Sequence, residues 1–167
     1  MKPLIVVLGV SGSGKTTIGG LLAGALSLPF ADADDLHPEA NVRKMAAGHP
    51  LDDNDRWPWL QRVGGVLSDA DTADTGLVIA CSALKRSYRD AILEVEPRAR
   101  FVLLDGDREL LQKRLAQREG HFMPATLLDS QLATLEPLAD GEPGVTVSID
   151  QTPAQIVAET RAKLAPL

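Results

Sequence analysis

A chain of 167 residues can bury one sizeable core but not two ordinary ones. Its 44% apolar and 24% charged residues exclude a disordered chain, and a net charge of −6 excludes a broad nucleic-acid-binding face while leaving room for a local basic pocket. The single cysteine, Cys81, excludes an internal disulfide and suits a reducing cytoplasm. The first element in chain order is the apolar run LIVVLG (4–9). It is too short to span a membrane and breaks into glycines, so it reads as a buried strand and not as a signal or anchor segment. Runs of strand length recur at LPFA (28–31), LVIACSA (77–83), RFVLLDG (100–106) and VTVSID (145–150). Several are β-branched and nearly continuous, as in strands covered on both faces of a parallel sheet. Helical stretches separate them at 15–27, 38–47, 53–69, 86–94, 108–118, 124–135 and 153–165. The alternation predicts one α/β domain over 1–167, a three-layer fold with a five-stranded parallel sheet, right-handed crossovers and helices on both faces. Ligands of such folds bind at the carboxyl ends of the strands.

Between the first strand and the first helix lies GVSGSGKT, Gly9 to Thr16, which fits G-x-x-x-x-G-K-[ST]. Gly9, Gly12 and Gly14 permit a tight turn, and with Val10, Ser11 and Ser13 they form a loop whose N–H groups converge on phosphate oxygens. Lys15 adds a mobile positive charge, the Thr16 hydroxyl can ligate Mg²⁺, and the helix starting near Lys15 presents its positive end to the same anion. No G-x-G-x-x-G can be read, so the loop predicts a nucleoside-triphosphate site and not a dinucleotide site. A GTP-hydrolysing switch would carry N-K-x-D and D-x-x-G, and neither pattern occurs. Gly19, Gly20 and Gly24 in the following helix each cost about 1 kcal/mol against alanine and are read as points of close packing on the sheet.

Three aspartates and a histidine crowd DADDLHP (32–38) at a predicted strand end. FVLLD also ends in an acid, Asp105, but Asp105 and Asp107 stand just before a helix, where aspartate caps orphan N–H groups. The run LVIACSA carries no carboxylate, which leaves Asp32 as the natural acid for a metal.

GVSGSGKT, DADDLHP, GHPLDDNDRWPWL (48–60), CSALKRSYRD (81–90) and REGHFMPATLLDSQLATLEP (118–137) together resemble the bacterial-type gluconokinases, which are shikimate-kinase-like small-molecule kinases. The blocks stand in that family's order over residues 5 to 137, and CSALK-x-x-YRD with GHFMP is far more specific than the phosphate loop; SDADTADTG (68–76) and the tail carry no signature. The resemblance implies transfer from ATP to the 6-hydroxyl of D-gluconate, a need for Mg²⁺, a P-loop kinase fold with a small lid, and a cytoplasmic homodimer. The alternatives are another small-metabolite kinase, acting on shikimate or a nucleoside, and a catalytically idle nucleotide-binding regulator.

Asp32 and Asp34 alternate, so in extended backbone they face the same way, with Ala33 opposite. Asp32 is assigned to Mg²⁺ through water, and Asp34 to the attacking hydroxyl as base or orienter, while Asp35 caps the following helix at most. His37, before Pro38, reads as a wall of the sugar-acid pocket. The gluconate carboxylate needs fixed cations, for which Arg56, Lys85 and Arg89 are the candidates, with Tyr88 and His49 as neighbours. The planar forks of Arg56 and Arg89 suit a carboxylate better than Lys85 does. Trp57 and Trp59 read as core or as pocket wall, with core preferred. Arg114 and Arg118, four apart on one helix face, are assigned to the nucleotide phosphates, and a lid at about 119–127, punctuated by Gly120 and Pro124, brings them to the transferring group. Lys15, Asp34 and Arg118 form the expected catalytic set.

Overall fold

The computed structural model describes residues 1–117 and 125–166, which form five strands and seven α-helices. Strand β1 (Leu4–Leu8) leads into α1 (Lys15–Leu26), and β2 (Phe30–Asp32) into a single 3₁₀ turn, Ala33–Leu36. Helices α2 (Glu39–Ala46) and α3 (Asp53–Thr72) precede β3 (Leu77–Ala80), α4 (Arg86–Val95) and β4 (Arg100–Asp105). Helices α5 (Arg108–Ala116) and α6 (Ala125–Thr134), β5 (Gly144–Ser148) and α7 (Pro153–Leu164) complete the order. The sheet is wholly parallel in the order β2-β3-β1-β4-β5, with Val6 beside Ile79 on one side and Phe101 on the other. The connection leaving β1 runs past β3 to β2, while that leaving β3 runs past β1 to β4. Opposite departures from neighbouring strands open a crevice at their carboxyl ends, which is where ligands settle in open α/β sheets.

Alternate strand residues feed two cores. Leu4, Val6, Leu8, Ile79 and Leu103 face one layer with Trp59, Leu60, Val63 and Leu67 of α3 and Ile92 of α4. Ile5, Val7, Val78 and Val102 face the other with Ile18 and Leu22 of α1, Leu111 of α5 and Ile156 of α7. This is the expected three-layer α/β arrangement. Among the described residues no helix is long and apolar enough to cross a membrane.

Some local expectations shift, each for a physical reason. Pro29 has no N–H, although its carbonyl accepts from Val78 N, so β2 starts only after it, at Phe30, two residues later than expected, and carries Asp32 on its last position, beside Ala80. Helix α3 continues through the acidic SDADT segment to Thr72. Acids oppose the dipole of a helix end, but here Ala70 is buried and Asp71 pairs with Arg98. Gly19 meets the packing expectation, since a Cβ there would lie 2.7 Å from the Phe30 ring, whereas nothing approaches within 4 Å at Gly20 or Gly24. Asp107 caps α5 by accepting from Leu110 N at 2.8 Å; no cap is formed by Asp105, which lies within β4.

Candidate active site

The loop after β1 and the first turn of α1 bound a cavity of about 350 Å³. Gly14 caps α1 at φ 91°, a left-handed conformation that a side chain resists, and Gly12 stands at φ 84° with Leu115 where a Cβ would go. No side chain caps α1 and its first turn holds no acid, so its N–H groups and positive end are left to the cavity. Ser11, Gly12, Gly14, Lys15 and Thr16 line the wall, joined by Thr17. Gly9, Val10 and Ser13 stand behind it instead. Val10 is a core residue, the Ser13 N–H donates to Val10 O at 3.2 Å, and the buried Ser13 hydroxyl fills the space that a Cβ on Gly9 would need. These three shape the loop from its buried side. Lys15 Nζ donates to Val10 O at 3.3 Å, across the loop. Arg114 reaches the same cavity from α5 and is steadied by donating to Ile149 O at 2.7 Å.

The acid pair enters from β2, but not by strand alternation. Extended backbone ends at Asp32, whose Oδ1 accepts from Asp34 N at 2.9 Å and so starts the 3₁₀ turn. The turn is fixed from below, because Ala33 is fully buried and Trp59 Nε1 donates to its carbonyl at 2.7 Å. Both carboxylates nonetheless line the loop cavity. The other oxygen of Asp32 accepts from the Thr16 hydroxyl at 3.2 Å, placing two hard oxygens side by side, a donor pair that fits an Mg²⁺ also held by phosphate and water. Asp34 is open to solvent by surface area, yet cavity walls strip part of its hydration; that burial first, and the Asp32 charge second, raise its pKa above the ordinary value. Cys81 lines the same cavity but is inert, since burial pushes its thiol up to about 12.

A second cavity, of about 420 Å³, lies beside the first, and Asp34 and Ser82 line both. Its walls come from the 3₁₀ turn, α2, α3, the β3–α4 loop, α4 and α6. His37 stacks on Trp59 at 4.3 Å between centroids. Asn41 Nδ2 donates to Asp55 O at 2.8 Å and so is identified as the nitrogen; its contact with His37 Nδ1 at 3.2 Å then makes Nδ1 the acceptor and puts the imidazole proton on Nε2. Burial, with a smaller push from Arg56, lowers the His37 pKa against the opposing pull of Asp34. The three candidate cations separate here. Arg56 lines the cavity, donates to Tyr88 Oη at 2.8 Å, and has no carboxylate within ion-pair distance among the described residues. Lys85 lies outside the wall and pairs with Asp53 at 3.5 Å, which also accepts from the Tyr88 hydroxyl at 2.5 Å.

Arg89 is a correction. Its side chain is fully buried and forms a two-pronged pair with Glu142, Nε to Oε1 at 2.7 Å and Nη2 to Oε2 at 3.0 Å. Its remaining donors reach Ala83 O, Leu84 O and Pro137 O. A guanidinium has five N–H groups, and all are engaged, so none is left for a substrate. Glu142, Thr17, Ser82 and Gln131 were not among the expected site residues: Ser82 and Gln131 lie within the quoted blocks 81–90 and 118–137, but their residue types alone do not mark a contact. Trp59 is core, as preferred, while Trp57 meets Tyr88 edge-on. His49 lines neither cavity. Arg118 and 119–124 of the expected lid lie outside the described residues, and 125–127 begin α6.

Comparison with known proteins gives a consistent picture. The chain matches the shikimate kinase family over residues 11–163. It is 48% identical to the gluconokinase of Gluconobacter oxydans, over 95% of this chain and 90% of that one. It is 42% identical to the thermoresistant gluconokinase of Escherichia coli, over 94% and 90% of the two chains. The crystal structure of a gluconokinase from Sinorhizobium meliloti superimposes with a TM-score of 0.88 at 47% identity, covering 98% of this chain and 91% of that one.

Proposed function

The chain belongs to the gluconokinase family, within the shikimate-kinase-type enzymes, and from that premise we propose that it transfers the γ-phosphoryl group of Mg·ATP to the 6-hydroxyl of D-gluconate. The observation that carries the reading is the junction at Asp34, a carboxylate of raised pKa shared by the loop cavity and by a cavity holding an arginine that has no carboxylate partner among the described residues. Thr16 and Asp32 would hold Mg²⁺, which when bound would shield the nucleotide's phosphate charge. Lys15, Arg114 and, from its sequence position, Arg118 meet the phosphoryl oxygens as negative charge shifts among them.

Gluconate lies along the second cavity with its carboxylate at Arg56 and its 6-hydroxyl at Asp34, while His37 Nε2–H donates to a hydroxyl between. The hydroxyl oxygen forms the new bond to the γ-phosphorus as the bond to the ADP oxygen breaks, and Asp34 takes the released proton. A loose transition state asks little of a base until the new bond is well formed, so Asp34 orients first and accepts second. The family reading also supports a cytoplasmic homodimer. The test is ADP release with D-gluconate, D-glucose, shikimate and AMP supplied separately under the same Mg·ATP conditions. D-gluconate is expected to give the highest kcat/KM, because a neutral sugar leaves Arg56 unpaired and the rigid shikimate ring holds its hydroxyl closer to its acid group. A higher value for any of the others overturns the assignment, and the absence of ADP release with every acceptor favours an idle nucleotide-binding protein.

A further inference from the structure

One side chain links the two cavities by a hydrogen bond. Gln131 lines the second cavity from α6, and its Oε1 accepts the backbone N–H of Ser11, a residue of the loop cavity, at 2.7 Å. Chemistry fixes which way the amide faces. A backbone N–H can only donate, so the atom toward Ser11 is the oxygen and Nε2 is the other edge of the same rigid plane. Among the described residues no acceptor meets that Nε2, although the side chain is half-buried. Ser130 and Thr134, one residue before and three after on the helix, line the same cavity, so α6 offers it two hydroxyl-bearing side chains and one amide. The helix is well anchored for such a task. Leu128 is buried, Arg108 pairs with Asp129, and beyond the helix end Glu136 N donates to Leu84 O at 2.8 Å.

We propose that Gln131 is a positioning and specificity residue for the acceptor: its carbonyl holds the phosphate loop at Ser11 while its amide nitrogen donates to one hydroxyl of the C2–C5 chain of the sugar acid. This rests on the reading of the acceptor as gluconate. A polyhydroxy chain binds well only where hydrogen-bonding groups recur along it, and Asp34, His37 and Arg56 line the same cavity. Because both edges belong to one amide plane, the acceptor is set in register with the loop that holds the donor phosphates.

The experiment crosses Gln131→Met with the four monodeoxy-D-gluconates lacking the hydroxyl at C2, C3, C4 or C5. Methionine keeps the length and removes both hydrogen bonds. In the wild type, the analogue lacking the partner hydroxyl should lose about tenfold in kcat/KM, the scale of one good hydrogen bond left unmade in a site built for it. In Gln131→Met that one penalty should vanish while the other three persist, and KM for ATP should rise equally with every acceptor through loss of the Ser11 contact. A residue that only braces the loop would leave all four penalties unchanged, and that result overturns the proposal. Should Gln131→Met fail to fold, Gln131→Asn, which withdraws the amide by one methylene, must show the same selective loss or the proposal falls. A wild type that turns over gluconate with unchanged penalties in the variant removes this role alone. A wild type that does not turn over gluconate removes the functional reading and this role together.

Discussion

The loop cavity takes half of its wall from one short stretch between Ser11 and Thr17, whereas the second cavity gathers side chains from the 3₁₀ turn, α2, α3, the β3–α4 loop, α4 and α6. The first is largely a backbone device. Glycine conformation, an uncapped helix start and one lysine make an anion site that needs little from elsewhere. The second is a side-chain device that depends on packing at a distance. Trp59 holds the turn of Asp34 through Ala33 O, and the Arg89–Glu142 pair fastens the chain after α6 to the start of α4. A site written in the backbone is local and is found by motif. A site assembled from side chains is only as good as the contacts behind it.

The largest expected effect breaks the assembled half. Arg89→Met should destabilise the protein by about 3–5 kcal/mol, because Glu142 is left charged and buried without its partner. The double variant Arg89→Met/Glu142→Leu should recover much of the loss, and thermal melts of both test this. At temperatures where the single variant is folded, its KM for gluconate should match the wild type. An intact melting curve with a raised gluconate KM would return Arg89 to the substrate. The local half should respond the other way. Lys15→Ala should keep the fold and lower kcat by about 10²–10³-fold, the scale of one removed electrostatic contact in a transition state. Near-normal turnover at saturating ATP would remove the loop from the chemistry.

Asp34 belongs to both halves and separates stability from activity. Its raised pKa means that the fold favours the protonated form, so charged Asp34 costs stability at neutral pH and that cost is relieved as pH falls. Asp34→Asn should therefore lower kcat by roughly 10²-fold, the low end for a base, while slightly raising the melting temperature at pH 7. A variant that loses both activity and stability would make Asp34 a structural residue.

The same contrast explains how much could be read from the sequence. The sheet, the loop and the crowding of acids at the end of β2 were legible because apolar runs, glycine spacing and contiguous charge are local patterns. The fates of three basic residues were not. Arg56, Lys85 and Arg89 look alike in the chain, and what separates them is a partner: no carboxylate among the described residues for Arg56, Asp53 for Lys85, and for Arg89 a glutamate 53 residues away. Gln131 was invisible for the same reason, since its bond to Ser11 spans 120 positions. Gly20 and Gly24 show the converse error, in which a residue type suggests contacts that the fold does not make.

The smallest expected effect tests the tautomer of His37. Its pKa is lowered, chiefly by burial, so the fold favours neutral imidazole. The stability gained is fully present above the ordinary value of about 6.5 and is lost as pH falls toward the lowered one. Protonation would also set a second N–H against the Asn41 amide donor, disturbing the ring that lines the acceptor cavity. The KM for gluconate should then rise roughly two- to tenfold on the acid side, the scale of one neutral hydrogen bond. The KM for ATP should stay flat, because His37 does not line the loop cavity. Asp34 titrates in the acid range too, but its loss is a loss of kcat, so the two limbs separate when kcat and KM are followed independently. In His37→Gln, which cannot titrate, the KM limb should disappear and the kcat limb persist. A KM limb that survives in this variant would assign the pH response to another group and leave His37 a packing partner of Trp59.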